Sequence, residues 1–357
     1  MKNLKWYTLP WVAVLSLTML SCDDDDNKPA GAFEKGVFVV NEGNFGIANG
    51  TMSFIDPNDG TVTQDLFGTV NNGLALGDVV QSMSVDGDRA FVVVNNSNKI
   101  EVVNANTFVA EYTLEDLALP RYFTTLNGKG YVTEWVSFSD PGRVTIIDLD
   151  LHSVTGSITT DFGAENILAH DDKLYVSNNF STTVSVIDPA TEEVIKTIQV
   201  GSSPGSFVVD NQDMIWVICG GGYDLDYNPL NDGKLVRLDP AESDNEATNS
   251  VTGEIELGMN VASKAAINQT KDSIFYFSGK SVYAFGTSAS AASSTPLVTE
   301  ASATSFYGIG LDPESGVLYL GDSKGFVGNG TVYRYTTSGT VVDKVTSGIG
   351  PSGFVFK

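Results

Sequence analysis

Histidine and cysteine, the residue types that most often bind transition metals, are scarce in this sequence. Its two histidines, His152 and His170, have no histidine four residues away and no neighbouring cysteine. Zinc and haem sites need such clusters, so both histidines are predicted to be ordinary surface residues. Cys219 has no histidine nearby in the sequence to activate its thiol, and no Gly-x-Ser-x-Gly motif is present. The sequence therefore predicts no enzyme active site, no structural metal and no cofactor.

One segment carries the oxygen ligands that calcium prefers. In DLDYNPLNDG, residues 224–233, the side chains of Asp224, Asp226 and Asn228 alternate along the chain. Pro229 stands where a calcium loop has glycine, and no glutamate follows at the twelfth position. The segment is therefore either a weak calcium site or a solvated, tightly turning insertion.

Aromatic side chains that stand among polar residues, between short apolar runs, indicate a binding function instead. The candidate contacts are Phe45, Arg121, Tyr122, Trp135, Phe180, Tyr223, Tyr227 and Tyr307, with the amides of Asn95 and Asn178. Aromatic faces combined with amide donors and acceptors suit a large, flat ligand with many polar edges. Trp135, Tyr223 and Tyr227 are the strongest candidates, because they lie in the longest connecting segments, where no core requires them.

Several candidates also have a purely structural explanation. Asn95 and Asn178 could bond the backbone in tight turns, as asparagine commonly does, and Tyr122 could fill a gap between repeated units. Basic side chains lie in or beside the same segments, namely Arg121, Arg143, Lys234, Lys264 and Lys324. These cations keep open an anionic ligand such as a ferric catecholate siderophore.

A repeated unit of four short strands must position these residues. One copy, residues 167–201, reads ILAHDDKLYVSNNFSTTVSVIDPATEEVIKTIQVG, with turn residues between apolar runs rich in β-branched side chains. The same pattern recurs at 82–114, 122–159, 206–257, 264–298 and 307–345. The spacing of about 48 residues is typical of β-propeller repeats. In a propeller, the loops from strand two to strand three and from strand four to the next blade gather on one face, where the candidates would lie.

A seventh unit is split between the two ends of the chain. Residues 36–67 contain strands two, three and four, and GPSGFVFK, residues 350–357, supplies the missing first strand. The prediction is an all-β, seven-bladed β-propeller over residues 36–357, whose ring is closed by the C-terminal strand joining the N-terminal blade. A pair of β-sandwiches is the rival architecture, but it does not explain the split unit.

The N-terminus predicts export and a lipid anchor. Two lysines precede an apolar run at 6–20 that is shorter than a membrane-spanning helix, and Ser21 then precedes Cys22. This resembles a bacterial lipoprotein signal: residues 1–21 are removed, Cys22 is lipidated, and 22–35 form an acidic tether. The acyl chains would hold the protein on a membrane. The alternative is a plain secretory signal with an incidental cysteine.

Charge excludes one class of function. After removal of residues 1–21, 18 basic side chains face 44 acidic ones, a net charge of −26. Such a chain repels nucleic acid, which is therefore excluded as a partner, and it repels anionic membrane surfaces. Cys219 is the one cysteine besides Cys22, so the fold has no internal disulfide.

Several motifs resemble a known family, the Bacteroidetes surface β-propeller lipoproteins of the YncE-like, surface-layer type. They are VVNEGNFG (39–46), LGDVVQSM (76–83), VVNNSNKIEVV (93–103), LPRY (119–122), GGGY (220–223) and GTVYRY (330–335). The run Asp23–Asp26 resembles the acidic export signal of such lipoproteins, which implies the outer face of the outer membrane. The alternative is an inert linker on a periplasmic lipoprotein.

The resemblance implies a function in nutrient uptake. Members of this family capture vitamin B12 or ferric siderophores for a TonB-dependent outer-membrane transporter. Aromatic and amide side chains favour a corrinoid as the ligand, with a ferric siderophore as the alternative. A propeller hydrolase or lactonase, or an architectural surface protein, are the remaining hypotheses. The expected protein is thus a lipid-anchored, non-enzymatic binding protein of the cell surface.

Overall fold

Seven four-stranded antiparallel sheets form the blades of a β-propeller, which confirms the predicted fold class. The structure is a computed structural model that describes residues 31–57, 59–226, 228–243 and 249–357. The signal peptide, Cys22, most of the tether and Tyr227 lie outside the described residues.

The blades are numbered here from the N-terminus. From the axis outward, blade 1 consists of the C-terminal strand Pro351–Phe356 and then Val37–Asn41, Thr51–Ile55 and Val62–Thr63. Blade 2 consists of Val80–Asp86, Arg89–Val94, Lys99–Asn104 and Ala110–Leu114. Blade 3 consists of Pro120–Leu126, Lys129–Glu134, Pro141–Asp148 and Ser153–Phe162. Blade 4 consists of Ala164–His170, Lys173–Asn178, Thr183–Asp188 and Glu193–Gln199.

The remaining three blades follow the same order from the axis outward. Blade 5 consists of Pro204–Val209, Ile215–Cys219, Lys234–Leu238 and Val251–Glu256. Blade 6 consists of Ala265–Ile267, Ser273–Ser278, Ser281–Gly286 and Val298–Thr299. Blade 7 consists of Phe306–Leu311, Val317–Asp322, Thr331–Thr336 and Val341–Thr346.

Burial explains the composition of the strands. The second strand of blade 5, Ile215–Cys219, is buried throughout, because blades cover both of its faces, and it reads as a continuous apolar run. The outermost strand of blade 7, Val341–Thr346, is largely exposed and carries charges. Between blades 2 and 3 the rings of Phe91 and Phe123 stack 4.2 Å apart within one apolar cluster. Apolar contacts between neighbouring blades therefore hold the ring together.

The C-terminal strand closes the ring as predicted. Val37–Asn41 pairs with Thr51–Ile55 on one side and with Pro351–Phe356 on the other. Gly36 and Lys357 exchange backbone hydrogen bonds of 2.9 and 3.0 Å at the end of this ladder. Pairing the first strand of the chain with the last leaves no open edge at this seam.

A few elements lie outside the blades. They are a short α-helix, Leu66–Val70, two 3-10 helices, Pro240–Glu242 and Lys324–Phe326, and a two-stranded hairpin, Gly222–Tyr223 with Pro229–Asn231. The hairpin belongs to the predicted long insertion of blade 5. Among the described residues, no helix has the length and apolar character needed to cross a membrane.

Candidate ligand-binding site

The loop face of the propeller carries the candidate site. This face is formed by the connections from the second to the third strand of each blade and from the fourth strand to the next blade. The first described residues lie on the opposite face, where the Phe33 N–H donates to the Asn106 carbonyl in a turn between outer strands of blade 2. The chain therefore enters the propeller on the side away from the loop face.

A β-bulge recurs at the start of the innermost strand in six of the seven blades. The register shifts where each strand leaves the loop face. The residues skipped by the ladder include Gln81, Arg121, Tyr122, Glu165, Asn166, Ser206, Tyr307 and Ser352. Bulges redirect side chains, and all eight of these residues line cavities around the axis. One backbone irregularity, repeated around the ring, thus builds a polar lining.

A second repeated position completes the lining. The first residue after the second strand is Glu42, Asn95, Trp135, Asn179 and Gly220 in blades 1 to 5. Each of these N–H groups donates, over 2.7–3.2 Å, to the carbonyl of the residue that precedes the innermost strand of the same blade. All five acceptor residues have a positive φ, including Val79 at 59° and Leu119 at 52°. This backbone region is strained for valine and leucine, so the packing of the blades must hold these residues in place. They define the shape of the mouth, the opening of the central axis on the loop face.

Two neighbouring cavities lie at this mouth. The first, called the polar cavity, has a volume of about 260 Å³, and its lining includes Tyr122, Glu165, Asn166, Ser206, Lys264 and Tyr307. The second, called the aromatic cavity, has a volume of about 290 Å³, and its lining includes Glu42, Phe45, Asn95, Arg121, Trp135, Phe138 and Tyr307. Tyr307 borders both, so the two cavities are adjacent parts of one site.

An aromatic cluster forms the outer wall of the aromatic cavity. The Trp135 ring lies 4.6 Å from Phe180 and 5.8 Å from Phe138, centroid to centroid. Phe138 and Phe45 are 77% and 78% exposed, which is unusual for phenylalanine. The Trp135 Nε1 is buried and has no hydrogen-bond partner among the described residues. The wall therefore offers apolar surface to a ligand.

A buried ion pair separates the two cavities. The Arg121 guanidinium binds Glu165 through Nε and Nη2 at 2.8 and 2.9 Å, and its carbon lies 3.8 Å from the centroid of the Trp135 ring. Burial alone would lower the pKa of Arg121, but the attraction of Glu165 raises it above its ordinary value. Arg121 is therefore a fixed cation that orients the indole of Trp135.

Burial also shifts the pKa values of the other titratable groups of the polar cavity. It raises the pKa of Tyr122 to about 12 and raises the pKa of Tyr307, whose hydroxyl donates to Glu42 over 2.5 Å. Burial lowers the pKa of Lys264, while Glu42 and Glu165 partly restore it. Both phenols therefore act as neutral hydrogen-bonding groups at ordinary pH.

Most of the predicted contact residues come together here. Phe45, Asn95, Arg121, Trp135 and Tyr307 line the aromatic cavity, Tyr122 lines the polar cavity, and Phe180 stands behind Trp135. The Asn95 side chain also has a structural role, because it donates to the Pro120 carbonyl over 2.9 Å. Tyr122 belongs to the innermost strand of blade 3 and not to a loop, since the bulge places it in the strand.

Two predicted residues lie elsewhere. Asn178 is fully buried inside blade 4, where its amide donates to the hydroxyls of Thr183 and Ser185 at 3.0 Å. Tyr223 is half-exposed on the blade 5 hairpin and is not among the residues that line either cavity. Glu165, Asn166 and Ser206 were not predicted from the sequence, although their position in the repeat matches that of Arg121 and Tyr122.

The predicted calcium-ligand candidates and the two histidines lie in different surroundings. Asp224 accepts hydrogen bonds from the backbone of Asp226 and Asn228 at 2.9 and 2.8 Å, the geometry of a tight turn. His170 is more buried than an ordinary surface residue, with a side chain that is 16% exposed. Its Nε2 lies 3.4 Å from Asp213 and 3.7 Å from Asp171. Within the described chain these three residues form the one group that could hold a metal ion, on the face opposite the loops.

The other two chemically notable side chains are engaged structurally. His152 stacks on Tyr112 with ring centroids 3.6 Å apart. Cys219 is buried, and burial raises the pKa of its thiol to about 12. A thiol with such a pKa is protonated and unreactive at neutral pH.

Comparison with known proteins identifies a family and a fold. A family model described as Domain of unknown function (DUF5074) matches residues 35–357. No curated protein matches the chain in sequence. A quinonprotein alcohol dehydrogenase-like protein (BT1487) from Bacteroides thetaiotaomicron is similar in structure, with 17% identity, a TM-score of 0.70, and coverage of 91% of this chain and 78% of that one.

Two further structures share the architecture. The periplasmic gluconolactonase PpgL of Pseudomonas aeruginosa is 12% identical, with a TM-score of 0.64 over 90% of this chain and 98% of that one. BamB from Moraxella catarrhalis is 15% identical, with a TM-score of 0.53 over 92% and 88% of the two chains. At these identities the likeness shows the propeller fold alone.

Proposed function

This chain belongs to the DUF5074 family, and from that premise we propose that it is a binding protein that captures a corrinoid on the loop face of its propeller. The observation that carries the proposal is the pairing of an exposed aromatic wall with a polar cavity at one mouth. A corrinoid presents a broad, apolar ring plane and many amide groups. The aromatic wall can cover the ring plane, and the polar side chains of the ring of bulges can bond its edges.

Three of the five basic side chains named above are paired with carboxylates, which favours a corrinoid over a polyanionic siderophore. Arg121 is bound by Glu165, Arg143 by Glu134 at 2.8 Å and Lys234 by Glu254 at 2.6 Å. A ferric catecholate would have to compete with these carboxylates for the guanidinium and ammonium groups. The strongly negative net charge of the chain opposes it further.

Exposed apolar side chains on the loop face support transfer of the ligand to a protein partner. Ile47, Leu225, Leu230 and Val327 are between 64% and 100% exposed, and all lie in connections on this face. Exposed apolar side chains on one face are suited to contact with a partner protein. We assign this contact to a TonB-dependent outer-membrane transporter.

The proposed location follows from the sequence at the N-terminus. Lipidation of Cys22 and the acidic run after it would place the protein on the outer face of the outer membrane. The chain enters the propeller opposite the loop face, so a tether at that end leaves the cavities accessible. Protease treatment of whole cells should digest the protein, whereas resistance until the cells are lysed would contradict surface exposure.

Ligand titration tests the proposal directly. Cyanocobalamin should bind saturably in calorimetry and quench tryptophan fluorescence, because Trp135 borders the cavity whereas Trp216 is buried. Binding of ferric enterobactin and not of cyanocobalamin would indicate a siderophore-binding protein instead. The absence of binding to either compound would refute capture, and turnover of a lactone would establish an enzyme instead.

A substitution then locates the ligand. Trp135→Ala should weaken cyanocobalamin binding at least tenfold, because aromatic anchors contribute strongly to binding free energy. Trp135→Phe should restore part of the affinity. Tyr223→Ala is the matched control and should leave the affinity unchanged if the ligand stays over the two cavities. An unchanged affinity for Trp135→Ala would contradict the placement.

A further inference from the structure

Lys264 occupies a distinctive position in the polar cavity. It lies immediately before the innermost strand of blade 6, and its Nζ donates to the backbone carbonyls of Tyr307 and Ser352 at 3.0 and 2.9 Å. Its side chain borders both the polar cavity and a deeper cavity of about 170 Å³ along the axis. An ammonium group carries three N–H donors. Two are used by the protein, so one remains for a group inside the cavity.

The charges around Lys264 leave it without a carboxylate partner. Glu165 is bound by the Arg121 guanidinium, and Glu42 accepts the hydroxyl of Tyr307. Lys264 takes part in none of the ion pairs formed by the described residues. Burial without a paired anion disfavours the charged ammonium, and a bound anion would remove that penalty.

The polar cavity also holds hydrogen-bonding side chains beside Lys264, and its one carboxylate, Glu165, is neutralised by Arg121. Asn166 and Ser206 are bulge residues that border it beside Lys264. Its volume of about 260 Å³ is too small for a whole corrinoid. It can therefore take one projecting arm of a ligand whose ring rests on the aromatic wall.

We infer that the polar cavity is a subsite for an anionic arm of the ligand, a phosphate or a carboxylate, with Lys264 as its counter-ion. This inference rests on the proposed function and deepens it. It makes the site selective for complete corrinoids, whose nucleotide arm carries a phosphodiester, over precursors that have the same ring and amides but lack that arm.

Two corrinoids that differ in this arm provide the test. Cyanocobalamin carries the phosphodiester, and dicyanocobinamide does not. Lys264→Met should weaken cyanocobalamin binding about 10- to 100-fold, the usual range for losing a charge-assisted hydrogen bond, and should change dicyanocobinamide binding less than about threefold. Lys324→Met, an exposed lysine on the same face, is the matched control and should change neither.

A second variant separates charge from folding. Lys264→Gln keeps a donor for the Tyr307 and Ser352 carbonyls but has no charge, so it should fold and show the same selective loss, and Lys264→Arg should retain binding. Equal loss for both corrinoids, or no loss for either, would overturn the anionic subsite while capture itself stands. Failure of the unaltered protein to bind either corrinoid would refute the proposed function, and the subsite with it.

Discussion

At the residue scale, the pair of Arg121 and Glu165 is the most consequential interaction of the site. Both side chains are nearly buried, at 11% and 13% exposure, and the pair holds the guanidinium against Trp135. A buried charge that loses its partner is costly, whereas an exposed pair contributes little. The pair therefore links the stability of the propeller to the shape of its mouth.

Glu165→Gln should lower the free energy of unfolding by about 3 kcal/mol, because it leaves the Arg121 charge buried and uncompensated. Chemical denaturation would measure the change. Glu192→Gln, which breaks the half-exposed pair with Lys129, is the control and should cost less than about 1 kcal/mol. A loss of similar size in both variants would contradict the role assigned to burial.

Buried phenols predict a loss of stability at alkaline pH. The pKa values of Tyr122 and Tyr276 are raised to about 12 by burial, against an ordinary value near 10. Because the folded state holds these protons more tightly, their contribution is complete below about pH 10 and is lost as the pH rises towards 12. Thermal unfolding measured across this interval should show a falling midpoint. A midpoint that is constant above pH 10 would contradict the burial of these hydroxyls.

At the element scale, the last residue of the second strand is a repeated structural position. Asn178 in blade 4 and Asn41 in blade 1 donate to hydroxyls of the adjacent third strand in the same pattern. Glu134 occupies the equivalent position in blade 3 and accepts from Arg143 and Thr145. Side chains at this position therefore hydrogen-bond the second strand to the third, next to the loop face.

Asn178→Ala should therefore destabilise the protein without altering ligand affinity. The substitution removes two buried hydrogen bonds and leaves the Ser185 hydroxyl without a partner, whereas the Thr183 hydroxyl still donates to Asp161. The loss should cost about 1–3 kcal/mol, measured by chemical denaturation. Cyanocobalamin affinity, measured by calorimetry at a temperature where the variant is folded, should match that of the unaltered protein. A selective loss of affinity would instead support the sequence-based prediction that Asn178 contacts the ligand.

At the scale of the whole molecule, the closing strand decides whether the ring exists. Removing Pro351–Phe356 would expose an edge of Val37–Asn41 and withdraw Ser352 from the deeper cavity. A chain ending at Gly350 should lose cooperative unfolding and associate through the open edge, as followed by calorimetry and size-exclusion chromatography. Replacing the hairpin at 222–231 with a short turn is the control and should leave the fold intact, because that hairpin lies outside the blades.

The sequence by itself determined the architecture. Four-strand units with short turns recur about every 48 residues, and the incomplete first unit and surplus last strand require a closed ring. Aromatic residues between strands, such as Phe45 and Trp135, could be assigned to the loop face from strand order alone, because that order fixes the direction of every connection. These features depend on local pattern, which a sequence displays directly.

Only the tertiary structure decided which polar residues meet at the axis. Glu165, Ser206 and Lys264 belong to different blades, and a bulge or a strand start turns each towards the same cavity. Bulges leave little trace in a sequence, because any residue can be the extra one and the ladder resumes after it. Asn178 and Asn179 differ by one position, yet one is sealed inside its blade and the other borders the cavity. Alternation along a strand makes such one-residue differences decisive, and only the register between strands settles them.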